Sequence, residues 1–214
     1  MCLFVLLPIT AYSQMSFYQL RTGKSSLGLG FTTDGDTQTI AGSLDYGIER
    51  DLKMTFTVGV ALTDDSEYGG AMDIPPSPIG VVSLVRVQPL GETDLDYFGV
   101  GSFSAGFARG IEPVTDETLV RTRATGLSAG AGILKRLKTE SGWILKPFFG
   151  LYYSNVWLVV ESDWIGYEET ETESGFSGEA GMEIEISSTT SIFGSFGFSF
   201  ESSSTTFSIG ARFY

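Results

Sequence analysis

Apolar side chains alternate with small or polar ones along most of this chain from Ser25 onward. The clearest example runs from Leu52 to Leu62, where every second residue is apolar. Such alternation places one set of side chains on each face of a β-strand. No sustained i, i+3, i+4, i+7 spacing of apolar residues, the mark of an amphipathic helix, accompanies it. The pattern therefore predicts an all-β protein.

Polar turns divide this pattern into ten predicted strands, although a count from eight to twelve fits the spacing. The ten predicted strands are residues 25–34, 37–47, 52–62, 79–90, 95–109, 120–136, 143–160, 174–186, 191–201 and 205–214. Consecutive strands joined by turns favour a closed antiparallel up-and-down barrel, because closure leaves no unpaired edge.

The chemistry of the less apolar face distinguishes a soluble barrel from a transmembrane one. This face is rich in Gly, Ser, Thr and Ala, and its few charges are mixed in sign. A narrow lumen needs small side chains and paired charges, whereas a surface in water would carry far more Lys and Glu. We therefore predict a transmembrane β-barrel with its apolar face toward lipid. The predicted lumen charge network consists of Asp45, Lys53, Arg86, Asp96, Lys146, Glu179, Glu183, Glu185 and Arg212.

The connections between the predicted strands alternate in length. Those after even-numbered strands are short, whereas three of those after odd-numbered strands are long: 63–78, 110–119 and 161–173. Bacterial membrane barrels place short turns in the periplasm and long loops outside. Aromatic residues near the predicted strand ends fit girdles at the two membrane interfaces. They are Tyr46, Tyr97, Trp143, Trp157, Trp164, Tyr167 and Phe200.

Net charge is concentrated in the predicted outer connections. The chain has 26 acidic and 13 basic residues, a net charge of -13, and no basic stripe, which argues against nucleic acid as a partner. Of the acidic residues, 15 lie in the connections after odd-numbered strands or at their edges. They are Asp34, Asp36, Asp64, Asp65, Glu67, Asp73, Glu112, Asp116, Glu117, Glu161, Asp163, Glu168, Glu169, Glu171 and Glu173.

Two interpretations of these acidic loops remain open. They could present oxygen ligands to divalent cations or to a basic ligand, with Glu168, Glu169, Glu171 and Glu173 as the candidate metal ligands. The alternative is a solvated, mobile loop that keeps the rim out of lipid. We favour the second, because the segment lacks the Asp-x-Asp-x-Asp-Gly spacing of a calcium loop.

Candidate catalytic chemistry is sparse. The chain has no histidine and one cysteine, Cys2, which excludes serine–histidine and cysteine–histidine catalysis. Paired carboxylates such as Glu183 and Glu185 could perform acid–base chemistry, but they lie in the middle of a strand in the predicted lumen. We therefore expect a protein that is not an enzyme and carries no cofactor.

The N-terminal residues resemble an export signal. Residues 1–13 form an apolar run ending in Ala11-Tyr12-Ser13, which suits cleavage before Gln14, although the missing basic residues suggest a leader truncated at its start. A short buried strand is the alternative. Residues 14–24 are then a periplasmic segment and residues 25–214 the barrel. No later stretch approaches the roughly 18 apolar residues of a membrane helix.

The last eight residues, Phe207 to Tyr214, carry a resemblance to a known group. The chain resembles the small outer-membrane β-barrels of Gram-negative bacteria, including OmpA-like, OmpW-like and opacity-type barrels, whose final strand alternates and ends on an aromatic residue. The resemblance implies an assembly signal at Phe207, Ile209, Phe213 and Tyr214, with Tyr214 one residue out of phase. It also implies a cell outer-membrane location, with outer-membrane lipid, lipopolysaccharide and the barrel-assembly machinery as partners.

Three functions compete at this point. The leading one is a non-enzymatic outer-membrane protein with a narrow or plugged lumen and a structural, adhesive or ligand-contacting role. The second is transport of a small or apolar solute, for which Pro75, Pro76, Pro78 and Pro147 could mark a broken strand ladder. The third is a secreted soluble barrel that binds a hydrophobic ligand.

Overall fold

The structure is a computed structural model that describes residues 17, 20–63, 73–112, 114–115, 117–162, 166–201 and 204–214. The predicted leader, Trp164 and the acidic residues Asp64, Asp65, Glu67, Asp116 and Asp163 lie outside these ranges. Within them, no helix has the length and apolar character needed to cross a membrane.

The described chain consists of ten long β-strands and one very short one. They are β1 (Ser25–Thr33), β2 (Thr37–Gly47), β3 (Leu52–Thr63), β4 (Ser77–Pro89), β5 (Leu95–Ile111), β6 (Thr118–Lys135), β7 (Leu137–Lys138), β8 (Ile144–Ser162), β9 (Tyr167–Ser187), β10 (Thr190–Ser199) and β11 (Thr205–Phe213). Nine of the ten long strands overlap the predicted ranges to within two residues at each end, and β9 begins seven residues early.

The sheet closes on itself. Neighbouring strands pair antiparallel in chain order, β1 pairs with β11 from Leu27 opposite Phe213, and β6 pairs with β8 across the two-residue β7. The closed antiparallel barrel of about ten strands is therefore confirmed. Pro147 lies beside the place where β8 changes its partner from β6 to β7, so the residue without an amide proton falls at an interruption of the ladder.

Side-chain orientation matches a membrane barrel. On β3, Phe56 and Val58 are exposed, Val58 to 70%, whereas Thr55 and Thr57 on the opposite face are buried. The same outward apolar face continues around the barrel, and water does not tolerate so large an apolar surface on a monomer. This orientation excludes the soluble barrel, which needs its apolar side chains inside.

The strands differ in length around the barrel. β1 and β11 have 9 residues each, whereas β8 has 19 and β9 has 21. On the long-loop side, β5, β6, β8 and β9 extend past the ends of β4 and β10. We call this extension, residues 107–111, 118–123, 154–162 and 167–176, the wall.

The wall corrects the prediction of long loops at 110–119 and 161–173. β8 and β9 pair without interruption from Ile144 opposite Glu185 to Ser162 opposite Tyr167, so most of the predicted mobile acidic loop is a regular hairpin. Glutamate has low strand propensity, but residues 156–160 of β8 are almost all β-branched or aromatic and provide a full ladder for the polar strand. Pairing between strands outweighed local composition here.

Candidate functional site

The first half of the lumen charge network centres on Asp45, which is fully buried on β2. Its carboxylate accepts hydrogen bonds from Thr55 Oγ1 at 2.6 Å and from Ser26 Oγ at 3.0 Å. It also pairs with Lys53 Nζ at 3.4 Å and with the guanidinium of Arg212. Because Arg212 is on β11 and Asp45 on β2, the pair spans β1 and links the two sides of the closure seam.

The guanidinium of Arg212 has an additional neighbour inside the barrel. Its Cζ atom lies 5.7 Å from the centre of the Phe193 ring, within the range of a cation–π contact. Arg212 is itself fully buried. An arginine held between a carboxylate and an aromatic face fills the lumen with its stem as well as its charge.

The second half of the network centres on Glu183, which is fully buried on β9. Its Oε1 accepts hydrogen bonds from Ser191 Oγ at 2.9 Å and from Tyr214 Oη at 3.1 Å. Nearby, Lys146 on β8 forms an ion pair with Glu185. The C-terminal residue thus turns its hydroxyl into the lumen, while its neighbour Phe213 faces outward.

Two further predicted lumen charges lie apart from these centres. Asp96 is buried at the start of β5 and pairs with Arg136 Nε at 2.5 Å, and Glu179 is buried further along β9. Arg136 is the last residue of the predicted strand 120–136 but was not assigned to the predicted network, because the phase of this segment is ambiguous; in the structure it follows the end of β6.

Arg86 is a correction to the predicted network. It lies on the outer face of β4, with its side chain 55% exposed, and its Nε donates to Asp51 at 2.9 Å. Hydrogen bonds from Gln88 and Arg86 lower the pKa of the Asp51 carboxyl in the turn before β3. The phase was misassigned because both faces of β4 are apolar: Val85 points inward while Leu84 points to lipid.

An aromatic cluster fills the lumen beside these charges, where we expected small residues. Phe98, Phe148 and Tyr152 are buried there with Val85, Val87, Val100 and Leu134. Glycine provides space for these rings, because a Cβ atom at Gly181 would lie only 2.6 Å from Phe148 Cζ. The sequence contains a signal for these inward aromatic residues. Phe98 is two residues from Asp96 and Phe148 is two from Lys146, so each ring shares a strand face with a predicted lumen charge.

Phe17 completes the aromatic cluster, although it belongs to the segment that we assigned to the periplasm. Its side chain is 1% exposed, and its ring centre is 4.6 Å from those of both Phe98 and Phe148. Its backbone N–H donates to Glu183 Oε2 at 2.8 Å, and its carbonyl oxygen lies 3.5 Å from Lys146 Nζ. Phe17 therefore lies inside the barrel at the short-turn end.

The long-loop half of the lumen is filled differently. Ala61, Ala124 and Leu158 form a smaller apolar cluster, against which Ile79 and Val160 pack. Above it, Glu171 and Glu173 lie opposite Leu158 and Val156, and therefore on the same lumen-facing side of the wall. Glu169 lies on this face as well. Among the described residues, no group of three or more acidic, cysteine or histidine side chains is arranged to hold a metal ion.

The predicted girdle residues that the structure describes fall into two sets. Tyr46, Tyr97 and Trp143 are exposed near the short-turn end, and Trp157 and Phe200 lie toward the long-loop end. Tyr167 departs from the prediction: it alternates in phase with Glu169, to which its hydroxyl donates, and so belongs to the lumen side of the wall. The membrane role of the other residues stays a prediction.

The predicted assembly signal keeps its alternating pattern. Phe207, Ile209 and Phe213 are each about half exposed on the outer face of β11, at 50%, 52% and 51%. Tyr214 is out of phase with them and bonds inside the lumen to Ser191 Oγ at 2.7 Å. Recognition of this strand by assembly machinery stays a prediction.

Several solved structures are similar to this chain, and one of them has a TM-score above 0.5. The translocator domain of the autotransporter NalP from Neisseria meningitidis is similar over 88% of this chain and 86% of its own, with a TM-score of 0.52 and 11% identity. The beta domain of the Bordetella autotransporter BrkA matches 88% of this chain and 97% of its own, with a TM-score of 0.47 and 12% identity.

Ail of Yersinia pestis, in complex with the heparin analogue sucrose octasulfate, matches 90% of this chain and 99% of its own, with a TM-score of 0.44 and 16% identity. Neither a family model nor a curated protein matches the sequence. The similarity to the NalP translocator domain supports the β-barrel fold, in agreement with the fold that the resemblance at the C-terminus implies.

Proposed function

We propose that this chain is a non-enzymatic integral protein of the outer membrane whose lumen is closed. The filling of the short-turn end carries this proposal: Asp45, Arg212 and Glu183 are fully buried there, beside the aromatic cluster that contains Phe17. A barrel of ten strands has little interior space once its side chains are packed, whereas water-filled porins use about 16 to 18 strands.

Transport is the less favoured alternative. A lateral opening needs two neighbouring strands without a ladder, but the ten long strands each pair with two neighbours in the described residues. The interruption beside Pro147 is confined to the short-turn rim, between the pairs Leu134–Phe148 and Leu137–Leu145. A rigid irregularity at the rim accounts for it without an exit path.

Planar-bilayer recording of the refolded full chain tests the closed lumen. We expect no steady open level under conditions in which a water-filled porin, inserted as a control, conducts. A large, steady conductance from this protein contradicts the proposal. If the protein partitions into the aqueous phase without detergent, or if its gel mobility is the same with and without heating, the membrane location is contradicted.

We propose a surface-contact role for the wall. β10 ends at Ser199 opposite Ser177, so residues 167–175 of β9 have no β10 partner in the part of the chain that is described. This free edge presents backbone groups beside Glu169, Glu171 and Glu173, and the combination favours an extended basic segment of another molecule. Charge attraction would steer such a partner toward the cell surface.

Binding of a fluorescent oligolysine peptide to proteoliposomes tests the wall. We expect the triple variant E169Q/E171Q/E173Q to bind less peptide than the natural chain, and the binding to weaken as salt is added. A matched variant, E49Q/E92Q/E140Q, changes three acidic residues in the short turns and serves as the control. Equal binding by both variants contradicts the role of the wall.

A further inference from the structure

The described residues before β1, Phe17 and residues 20–24, contact the short-turn end of the barrel. Gly23 N donates to Gly47 O at 2.8 Å and Gly47 N donates to Lys24 O at 2.9 Å, which fixes the segment to the end of β2. From there Leu20 is buried near Val85 and Val87, and Phe17 reaches Phe148 on β8, at the other side of the lumen. Phe17 and Leu20 thus lie on different sides of the short-turn end.

The barrel recognises both polar groups of one backbone residue. Glu183 accepts the N–H of Phe17 at 2.8 Å, and the ammonium of Lys146 lies 3.5 Å from the carbonyl oxygen of the same residue. These contacts are made to the backbone, so any amino acid except proline at this position could make them. A carboxylate that accepts a backbone N–H in a buried site contributes a charge-assisted hydrogen bond.

The side chain provides the selectivity that the backbone contacts lack. Phe98 and Phe148 both lie 4.6 Å from the Phe17 ring centre at tilts of 49° and 55°, geometry typical of favourable aromatic packing. Val85, Val87 and Leu134 close the remaining sides. The pocket fits a planar ring, and a smaller or polar side chain would leave its walls without contacts.

We propose that the short-turn end of the lumen is a binding site for a peptide bearing an aromatic residue. Phe17 of the chain itself occupies this site, as the anchor of an internal plug. This goes beyond the closed lumen of the proposed function, because it assigns the closure to a segment that could be replaced by a second peptide of the same chemistry.

The test separates the segment from the barrel after folding. A site-specific protease sequence is inserted between Thr22 and Gly23, both exposed, in the full chain; the refolded protein is then cut and passed through gel filtration in detergent. We expect the N-terminal fragment to elute with the barrel. A labelled synthetic peptide of residues 14–21 should exchange with it, whereas the same peptide carrying Phe17→Ala should not compete.

Variants of the full chain make the test specific. Phe17→Ala should weaken retention of the fragment by about 100-fold or more, as truncation of a buried phenylalanine does. Arg21→Ala is the matched control, because Arg21 is exposed and its carbonyl, not its side chain, bonds to Lys24 N. It should leave retention unchanged.

Either of two results would contradict the proposed binding site. One is loss of the natural fragment from a barrel that remains heat-modifiable after cutting. The other is equal retention of the natural and Phe17→Ala fragments. Neither depends on the conductance of the uncut chain, so failure of the binding site and failure of the closed-lumen proposal can be told apart.

Discussion

The two ends of the barrel each hold an arginine–carboxylate pair, in opposite surroundings. At the short-turn end, Arg212 and Asp45 pair with each other and are fully buried in the lumen, and Asp45 also accepts a hydrogen bond from Thr55 on β3. At the long-loop end, Arg123 and Glu161 form a pair on the outer side of the wall, with side chains 60% and 24% exposed. The chemistry is the same, but water reaches only one pair.

The contrast between the two pairs distinguishes charges that stabilise the closed barrel from charges at its surface. An unpaired charge is costly in the lumen, so the ion pairs of Asp45 with Lys53 and Arg212 fix the positions of the strands that carry these residues. Charges on the outer side of the wall, such as those of Arg123 and Glu161, are exposed to water at least in part, which lowers the cost of a charge there. The buried charges of the short-turn end therefore stabilise the fold, while the long-loop end carries the wall for which we propose a contact role.

Asp45→Ala should produce the largest effect, because it leaves Lys53 and Arg212 buried without their shared carboxylate. Breaking a buried pair in this way costs about 3–5 kcal/mol. Urea unfolding of the refolded barrel in lipid vesicles measures the change. Asp51→Ala removes the partner of exposed Arg86 and is the control, expected to have a much smaller effect. Equal losses would contradict the contrast between buried and exposed pairs.

Val58→Arg tests whether lipid hydrocarbon surrounds the part of β3 that lies between the two ends of the barrel. Val58 is 70% exposed near the middle of β3, on the outer face, and an arginine at the bilayer midplane of such a barrel costs about 2–4 kcal/mol. Val114→Arg makes the same change in the loop after β5, where the side chain is 90% exposed, and should leave stability unchanged. Urea unfolding in vesicles again distinguishes the two.

Strand periodicity predicted the barrel because the outer face of every strand meets the same solvent. Lipid imposes one requirement on Leu27, Phe56 and Phe207 alike, so alternation identifies the strands and their orientation. For the same reason Lys53, Asp45 and Arg212 could be assigned to the lumen from phase alone. That method failed for Arg86, where both faces of β4 are apolar.

Contacts between distant parts of the chain set the limits of that prediction. Phe17 is separated from Glu183 by 166 positions, and nothing in residues 14–24 shows that the lumen has a pocket for a ring. The wall was missed because residues 167–173 are polar and become a strand only through their pairing with β8. Periodicity reports the surroundings of each residue and carries no information about which partner fills the space.

Arg123→Ala should produce the smallest change in unfolding free energy, because it removes a residue of the exposed pair. The pair with Glu161 joins β6 to β8 on the outer side of the wall, where water screens both charges. Exposed pairs of this kind contribute about 0–1 kcal/mol, so the change in unfolding free energy should be within that range. Arg212→Ala provides the buried counterpart and should cost several times more, since Asp45 keeps only Lys53 as its cationic partner. A large loss in Arg123→Ala would mean that the wall also holds the barrel closed, because removal of a screened pair cannot otherwise destabilise the folded state so much.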